Sequence, residues 1–231
     1  MFANSRPITS NQTDIHEQLA TLVERHRTTQ FKKPVGEVNL QAFKLAIAAW
    51  DRAKRPKLII DSGCGVGIST LNLAQKFPHK FVMGIDQSAD RLARQTKWPK
   101  ERPENFLLVR ADVVDFWRLL VDAGIHASRH YLLYPNPWPK KTQLGRRWHG
   151  HAVFPALVAL GGLIECRSNW KIYIDEFAVA LQQITGKPVV SEPYLITSTD
   201  TESTDLPAAI TPFEKKYHAS GHALWRCRAK L

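Results

Sequence analysis

Three features of the sequence predict a doubly wound, Rossmann-like α/β sheet. Strand-like and helix-like runs alternate from residue 57 to residue 184, a glycine-rich turn follows the first apolar strand, and an acid closes each of the first three strands. No repeat and no Gly/Ser/Pro linker interrupts the 231 residues. Residues 1–54 read as an N-terminal helical extension and 55–231 as the main domain, together one compact unit.

The extension opens with a helix expected from Asp14 to about Arg27, where Ile15, Leu19, Leu22 and Val23 follow an Asp cap at helical spacing. A second helix is expected from Asn39 to Ala53. The N-terminal dozen residues are expected to be the loosest part of the chain. Strand Lys57–Asp61, a helix through Thr70 to Lys76 and strand Phe81–Asp86 then make a βαβ unit, the seed of a parallel sheet. Helix Ala89–Thr96, strand Phe106–Val109, helix Val113–Leu120 and strand Tyr131–Tyr134 continue the alternation. Val153–Leu160 reads as helix, Leu163–Cys166 as strand, and Ile172–Ile184 as a helix stopped by Gly186-Lys187-Pro188. Runs near Pro193–Thr197 and His222–Arg228 are expected to pair as an antiparallel hairpin at the sheet edge.

Lys and Arg total 32 against 21 Asp and Glu, a net charge of +11 that favours a polyanionic partner, RNA above all. The plainer reading is that the surplus serves solubility. Cys64, Cys166 and Cys227 are widely spaced with no C-x-x-C pair, so neither a disulfide framework nor a metal site is expected, and a reducing, cytoplasmic setting fits. The N-terminus lacks an apolar signal region, and the longest apolar stretch, Ala152–Ile164, is short and broken by Pro155 and a glycine pair, so no membrane partner is expected. Whether the chain is a monomer or a homodimer stays open.

The turn Asp61-Ser62-Gly63-Cys64-Gly65-Val66-Gly67 lies between a strand and a helix, where missing Cβ atoms let a ligand approach the backbone. A dinucleotide fingerprint needs G-x-G-x-x-G, but the glycines here run G-x-G-x-G with an acid two residues ahead. That spacing favours S-adenosylmethionine over NAD, and the expected fold is the sheet of a class I S-adenosylmethionine-dependent methyltransferase. Asp86, closing the second strand, is placed to accept ribose hydroxyls, and Asp112, closing the third, to meet the adenine amine. Each Asp taken alone also fits a turn or N-cap.

After the fourth strand stands Tyr134-Pro135-Asn136-Pro137-Trp138-Pro139-Lys140-Lys141-Thr142-Gln143-Leu144-Gly145-Arg146-Arg147-Trp148. Prolines stiffen it, Lys140, Lys141, Arg146 and Arg147 can meet phosphates, and Trp138 or Trp148 can stack on a base. The competing reading is a solvated basic loop with two core tryptophans. The loop resembles the P-D-P-W-x-K signature of the tRNA (guanine-N7-)-methyltransferase family, and Thr211-Pro212-Phe213-Glu214 is similar to that family's T-x-F-E motif. The resemblance covers about residues 55 to 230. It implies that Asp61, Asp86 and Asp112 bind the cofactor and that Asn136 stands between cofactor and guanine. It also implies that Lys140, Thr211 and Glu214 face the substrate.

Two positions depart from the family pattern: Asn136 replaces the Asp of P-D-P-W, and Ser168-Asn169 replaces a Thr-Asp pair. The basic run after Lys141 is also thinned. Guanine N7 carries a free lone pair, so its methylation needs alignment rather than a general base. An amide at 136 or 169 still accepts a hydrogen bond but no longer offsets the charge that develops on the purine. Asn136 and Asn169 are therefore the candidate catalytic residues, Asn169 also touching substrate. The expected function is methyl transfer from S-adenosylmethionine to tRNA guanine N7. The alternatives are another nucleobase or a small molecule as acceptor, or a cofactor-binding RNA-binding protein with little turnover.

Overall fold

All five residues of the run Leu58-Ile59-Ile60-Asp61-Ser62 are buried, as in a strand covered on both faces. In the computed structural model, which describes residues 4–94, 98, 101–196 and 210–231, they form strand β1 (Leu58–Ser62). The other strands are β2 (Phe81–Asp86), β3 (Phe106–Arg110), β4 (Arg129–Leu133), β5 (Leu163–Ser168), β6 (Ser191–Pro193) and β7 (Trp225–Lys230). They make one sheet in the order β3-β2-β1-β4-β5-β7-β6. The first five run parallel, and β7 is antiparallel to both β5 and β6. The order reverses between β1 and β4, so a crevice opens there at the carboxyl ends of the strands, the usual ligand position in such sheets.

Helices α1 (Leu19–Thr28), α2 (Glu37–Arg52), α3 (Ile68–Lys76), α4 (Ala89–Ala93), α5 (Val113–Asp122), α6 (Phe154–Ala159), α7 (Lys171–Thr185) and α8 (Pro212–Ala219) cover the sheet. Leu19 and Val23 of α1 and Ala46 and Trp50 of α2 join the same apolar cluster as Ile60, Met83, Leu132 and Ile164 of the strands. A second cluster on the opposite face gathers Ile59, Leu73, Val82, Tyr131 and Ile210. Among the described residues no helix is long and apolar enough to cross a membrane, and no His/Cys/Asp/Glu group could hold a metal ion.

Three expectations change. The first helix starts at Leu19 rather than Asp14, because the chain ahead of it is held by distant groups: His16 N donates to Glu176 Oε1 at 2.9 Å, and Gln12 Nε2 donates to the same oxygen at 2.6 Å. The Gln12 bond also ties down the end of the segment expected to be loosest. The two late strands do pair antiparallel but are not a hairpin, since α8 lies between them in sequence and β7 inserts between β5 and β6. The expected helix end at Thr96 and strand end at Thr197 lie outside the described residues.

Candidate active site

The glycine turn builds one wall of the crevice. Gly63, Gly65 and Gly67 have φ of +73°, +60° and +78°, a region that strains any residue with a Cβ. A Cβ on Gly63 or Gly65 would meet nothing within 4 Å, so the turn faces open space there. One on Gly67 would lie 2.7 Å from the Trp98 ring. Gly63 N and Cys64 N both donate to the Ile85 carbonyl, and Gly65 N donates to Asp86 Oδ2 at 2.9 Å.

Asp61, expected to bind the cofactor, serves in this structure as the turn's internal tie. Its Oδ2 accepts from Ser69 Oγ at 2.6 Å and Thr70 Oγ1 at 2.7 Å, which fastens the start of α3 beneath the loop. Burial, the dominant influence, pushes its carboxyl up to about 6 against those two donors. Sequence reasoning missed Gly84 here: a Cβ on it would sit 2.1 Å from Thr70 Oγ1, so only glycine lets Thr70 reach Asp61.

Asp86 ends β2, where the sequence places it. Oδ2 accepts from Gly65 N, while Oδ1 accepts from Ser88 N at 2.8 Å and lies 3.2 Å from the Arg91 guanidinium. A carboxylate offers about four lone-pair directions, so capacity for a further donor remains. Asp112 is the N-cap of α5: Oδ1 accepts from Val114 N at 2.9 Å, and Oδ2 pairs with Lys33 at 3.1 Å. Of the two roles its sequence position allowed, the structure displays the cap.

The loop after β4 leaves the strand through strained backbone, with Tyr134 at φ +55° and Trp138 at +46°. Asn136 is exposed between them. Lys140 and Arg146 are exposed, Arg146 lying 4.9 Å over the Trp138 ring, and Lys141 reaches Glu17 at 3.5 Å. Arg147 does not join them on the surface. Fully buried, it donates to Glu176 Oε2 at 2.6 Å, to Gln12 Oε1 at 3.0 Å and to the carbonyls of Trp138 at 3.1 Å and Lys140 at 3.4 Å. The phosphate contact expected of it is thus corrected, because all three guanidinium nitrogens are spent on shaping the loop. Trp148, half-buried, packs on Trp117 with ring centres 4.8 Å apart.

Glu176 anchors this hub. Burial alone would raise its carboxyl, but His149 and Arg147 more than offset that and hold it at about 2. His149, completely buried with Nε2 2.8 Å from the same Oε2, is pushed below the ordinary imidazole range mainly by desolvation, and the Arg147 guanidinium stands 2.6 Å from that oxygen. Between α1 and the loop lies a groove of about 420 Å³ lined by His16, Glu17, Arg25, Lys141 and Leu144, among others.

The T-x-F-E motif is also corrected. Thr211 Oγ1 accepts from Glu214 N at 2.9 Å and so caps α8, with Pro212 in the first turn. Glu214 is fully buried: Oε1 accepts from the Tyr134 hydroxyl at 3.0 Å and from Arg167 at 2.8 Å, and Oε2 from Ile210 N at 2.6 Å. The motif fastens α8 to the ends of β4 and β5 instead of facing a substrate. Its Thr-x-x-Glu spacing with Pro behind the Thr was a legible helix start. Asn169 follows β5, half-buried, with Nδ2 3.0 Å from His222 Nδ1.

Because β1, β2, β4 and β5 run parallel, the glycine turn, Asp86, Asn136 and Asn169 all stand at one edge of the sheet. A family model described as "Putative methyltransferase" matches residues 55–227. The chain is similar to the tRNA (guanine-N(7)-)-methyltransferase of Anaeromyxobacter dehalogenans, 27% identical over 183 residues that cover 74% of this chain and 84% of the relative. To the enzyme of that name from Ralstonia pickettii it is 28% identical over 184 residues, covering 77% and 67%. Among solved structures, an antibiotic-related methyltransferase matches 90% of this chain and 98% of its own, with a TM-score of 0.54 at 13% identity. The 16S rRNA methyltransferase KamB matches 86% and 95%, with a TM-score of 0.54 at 12% identity. These likenesses show the fold, that of class I methyltransferases.

Proposed function

We propose, from the premise that this chain belongs to the methyltransferase family whose model spans residues 55–227, that it methylates N7 of a guanine in tRNA with S-adenosylmethionine as donor. The observation that carries the reading is the open cradle of Gly63 and Gly65 beside Asp86, at the same sheet edge as Asn136 and Asn169. The cradle fits the donor, since a side chain at either glycine would project into the space a ligand needs.

When bound, the donor supplies an electrophilic methyl group on a sulfonium. Gly63 and Gly65 would let it approach the backbone, and the free acceptor capacity of Asp86 would take a ribose hydroxyl. Asn136 and Asn169 hold the acceptor base by hydrogen bonds. Neither needs to take a proton, because N7 attacks through its own lone pair. As amides they leave the charge on the purine less well offset than carboxylates would, which favours slow turnover. On this reading the protein acts in the cytoplasm, the setting expected from its sequence. Incubating the protein with methyl-labelled S-adenosylmethionine and unmodified tRNA, then digesting to nucleosides, should give label in 7-methylguanosine. Label in another nucleoside, or in none, overturns the reading.

Lys140, Lys141 and Arg146 are the loop cations left to meet phosphates, with Arg25 across the groove from Lys141. Replacing the three loop residues with Ala should make the slope of log affinity against log salt shallower by about 2–3, each phosphate contact contributing roughly 0.7–0.9. A titration series at several salt concentrations checks this. An unchanged slope removes the loop from the RNA surface.

A further inference from the structure

Asn169 carries a donor and an acceptor on one flat amide, so the end it presents decides what it recognises. Its surroundings resolve the choice. His222 Nε2 lies 3.0 Å from the carbonyl oxygen of Ser5. A carbonyl only accepts, so Nε2 carries the proton and, in the neutral imidazole, Nδ1 is a lone pair. Asn169 stands 3.0 Å from that lone pair, and only its Nδ2–H can complete the contact. Among the described residues Asn169 Oδ1 accepts no hydrogen bond, which leaves the carbonyl end for a ligand.

The imidazole is itself held from several sides. It stacks on Tyr217 with ring centres 5.5 Å apart and planes 14° from parallel, and its backbone N donates to the Tyr217 carbonyl at 3.0 Å. Gly221, at φ +73°, turns the chain into position ahead of it. Ser5, whose carbonyl accepts from Nε2–H, is fixed by its own N–H donating to Ser220 Oγ at 3.1 Å. The clasp therefore joins the end of β5, the turn after α8 and the N-terminal segment.

We propose that His222 is a positioning residue that locks the Asn169 amide with Oδ1 outward, so that the amide serves as a pure hydrogen-bond acceptor for the N–H edge of the guanine. A carboxylate at position 169 would need no such partner, because both of its oxygens accept. An amide does, since the reversed orientation would set N–H against N–H. This inference rests on the guanine reading above and explains how a neutral side chain can take a carboxylate's place there.

Three variants and one spectrum test it. His222→Phe keeps a ring over Tyr217 but offers no acceptor to Asn169, and kcat/KM on tRNA should fall by about tenfold to a hundredfold, with S-adenosylhomocysteine affinity and melting temperature nearly unchanged. His222→Gln, whose amide can accept from Asn169 and donate to Ser5, should keep most of the activity. Adding Asn169→Asp to His222→Phe should restore it, because a carboxylate has no wrong end. Full activity in His222→Phe, or no recovery in the double variant, overturns the proposal. The nitrogen-15 shifts of the His222 ring in labelled protein should show Nε2 protonated and Nδ1 bare. A protonated Nδ1 overturns the proposal whatever the activity data. If the wild-type protein transfers no methyl to guanine, the functional reading falls while this spectrum still decides the orientation of Asn169.

Discussion

Arg147→Met is expected to destabilise the protein by about 3–5 kcal/mol, because it leaves Glu176 charged, buried and without its main partner. For a chain of this length that corresponds to a fall in Tm of roughly 6–20 °C. The same change frees the carbonyls of Trp138 and Lys140, so tRNA affinity should drop in protein that remains folded at low temperature, while cofactor affinity holds. Converting Glu176 to Gln in the Arg147→Met background should recover part of the loss by removing the stranded charge. The hub also sets an acid limit. Glu176 titrates at about 2 in the folded state against an ordinary 4.5, so its stabilising contribution is complete above pH 4.5 and is lost as pH falls toward 2. Denaturant melts between pH 2 and 6 should show this limb, and Glu176→Gln should flatten it. A stability loss below about 1 kcal/mol for Arg147→Met would show that the buried pair does not anchor the loop.

Asp86→Ala is expected to weaken S-adenosylhomocysteine binding about a hundredfold or more. On the proposed reading the carboxylate accepts from the ribose edge, and it also holds the turn through Gly65 N. Charge-assisted hydrogen bonds contribute roughly 1.5–3 kcal/mol each, and two are lost together. Calorimetry on the folded variant measures the change. Asp86→Asn separates the two roles, since an amide oxygen can still accept from Gly65 N while the negative charge is gone. Affinity within a factor of about two of wild type in the Ala variant would remove Asp86 from the cofactor site.

The strands were the most legible part of the sequence. Phe81–Asp86 has the bounds expected of it, and β1, β4 and β5 overlap their expected runs, because strands buried on both faces write continuous apolar stretches ended by turn residues; β3, half-buried at the sheet edge, overlaps its run as well. Helix starts were less legible where capping chemistry competes with tertiary bonds: Asp14 looks like a cap, but its carboxylate is taken by Ile15 N, and the helix begins at Leu19. The unexpected helix α8 was written in Thr211-Pro212-Phe213-Glu214, a start signal that the resemblance had assigned to substrate contact.

By itself, the sequence determined the sheet type, the glycine turn with its G-x-G-x-G spacing, and the placement of Asp86 at the end of β2, Asn136 after β4 and Asn169 after β5, because each follows from local pattern and chain order. Only the tertiary structure decided which of the named side chains face the crevice. Arg146 and Arg147 are adjacent in sequence, yet one is exposed over Trp138 and the other is buried on Glu176, 29 residues away. Glu214 likewise turns inward to Arg167 and Tyr134, and Asn169 takes its orientation from a histidine 53 residues later and a serine near the N-terminus. The physical reason is that a buried charge or amide must find its partner among groups brought close by folding, and neither residue type nor local spacing names that partner.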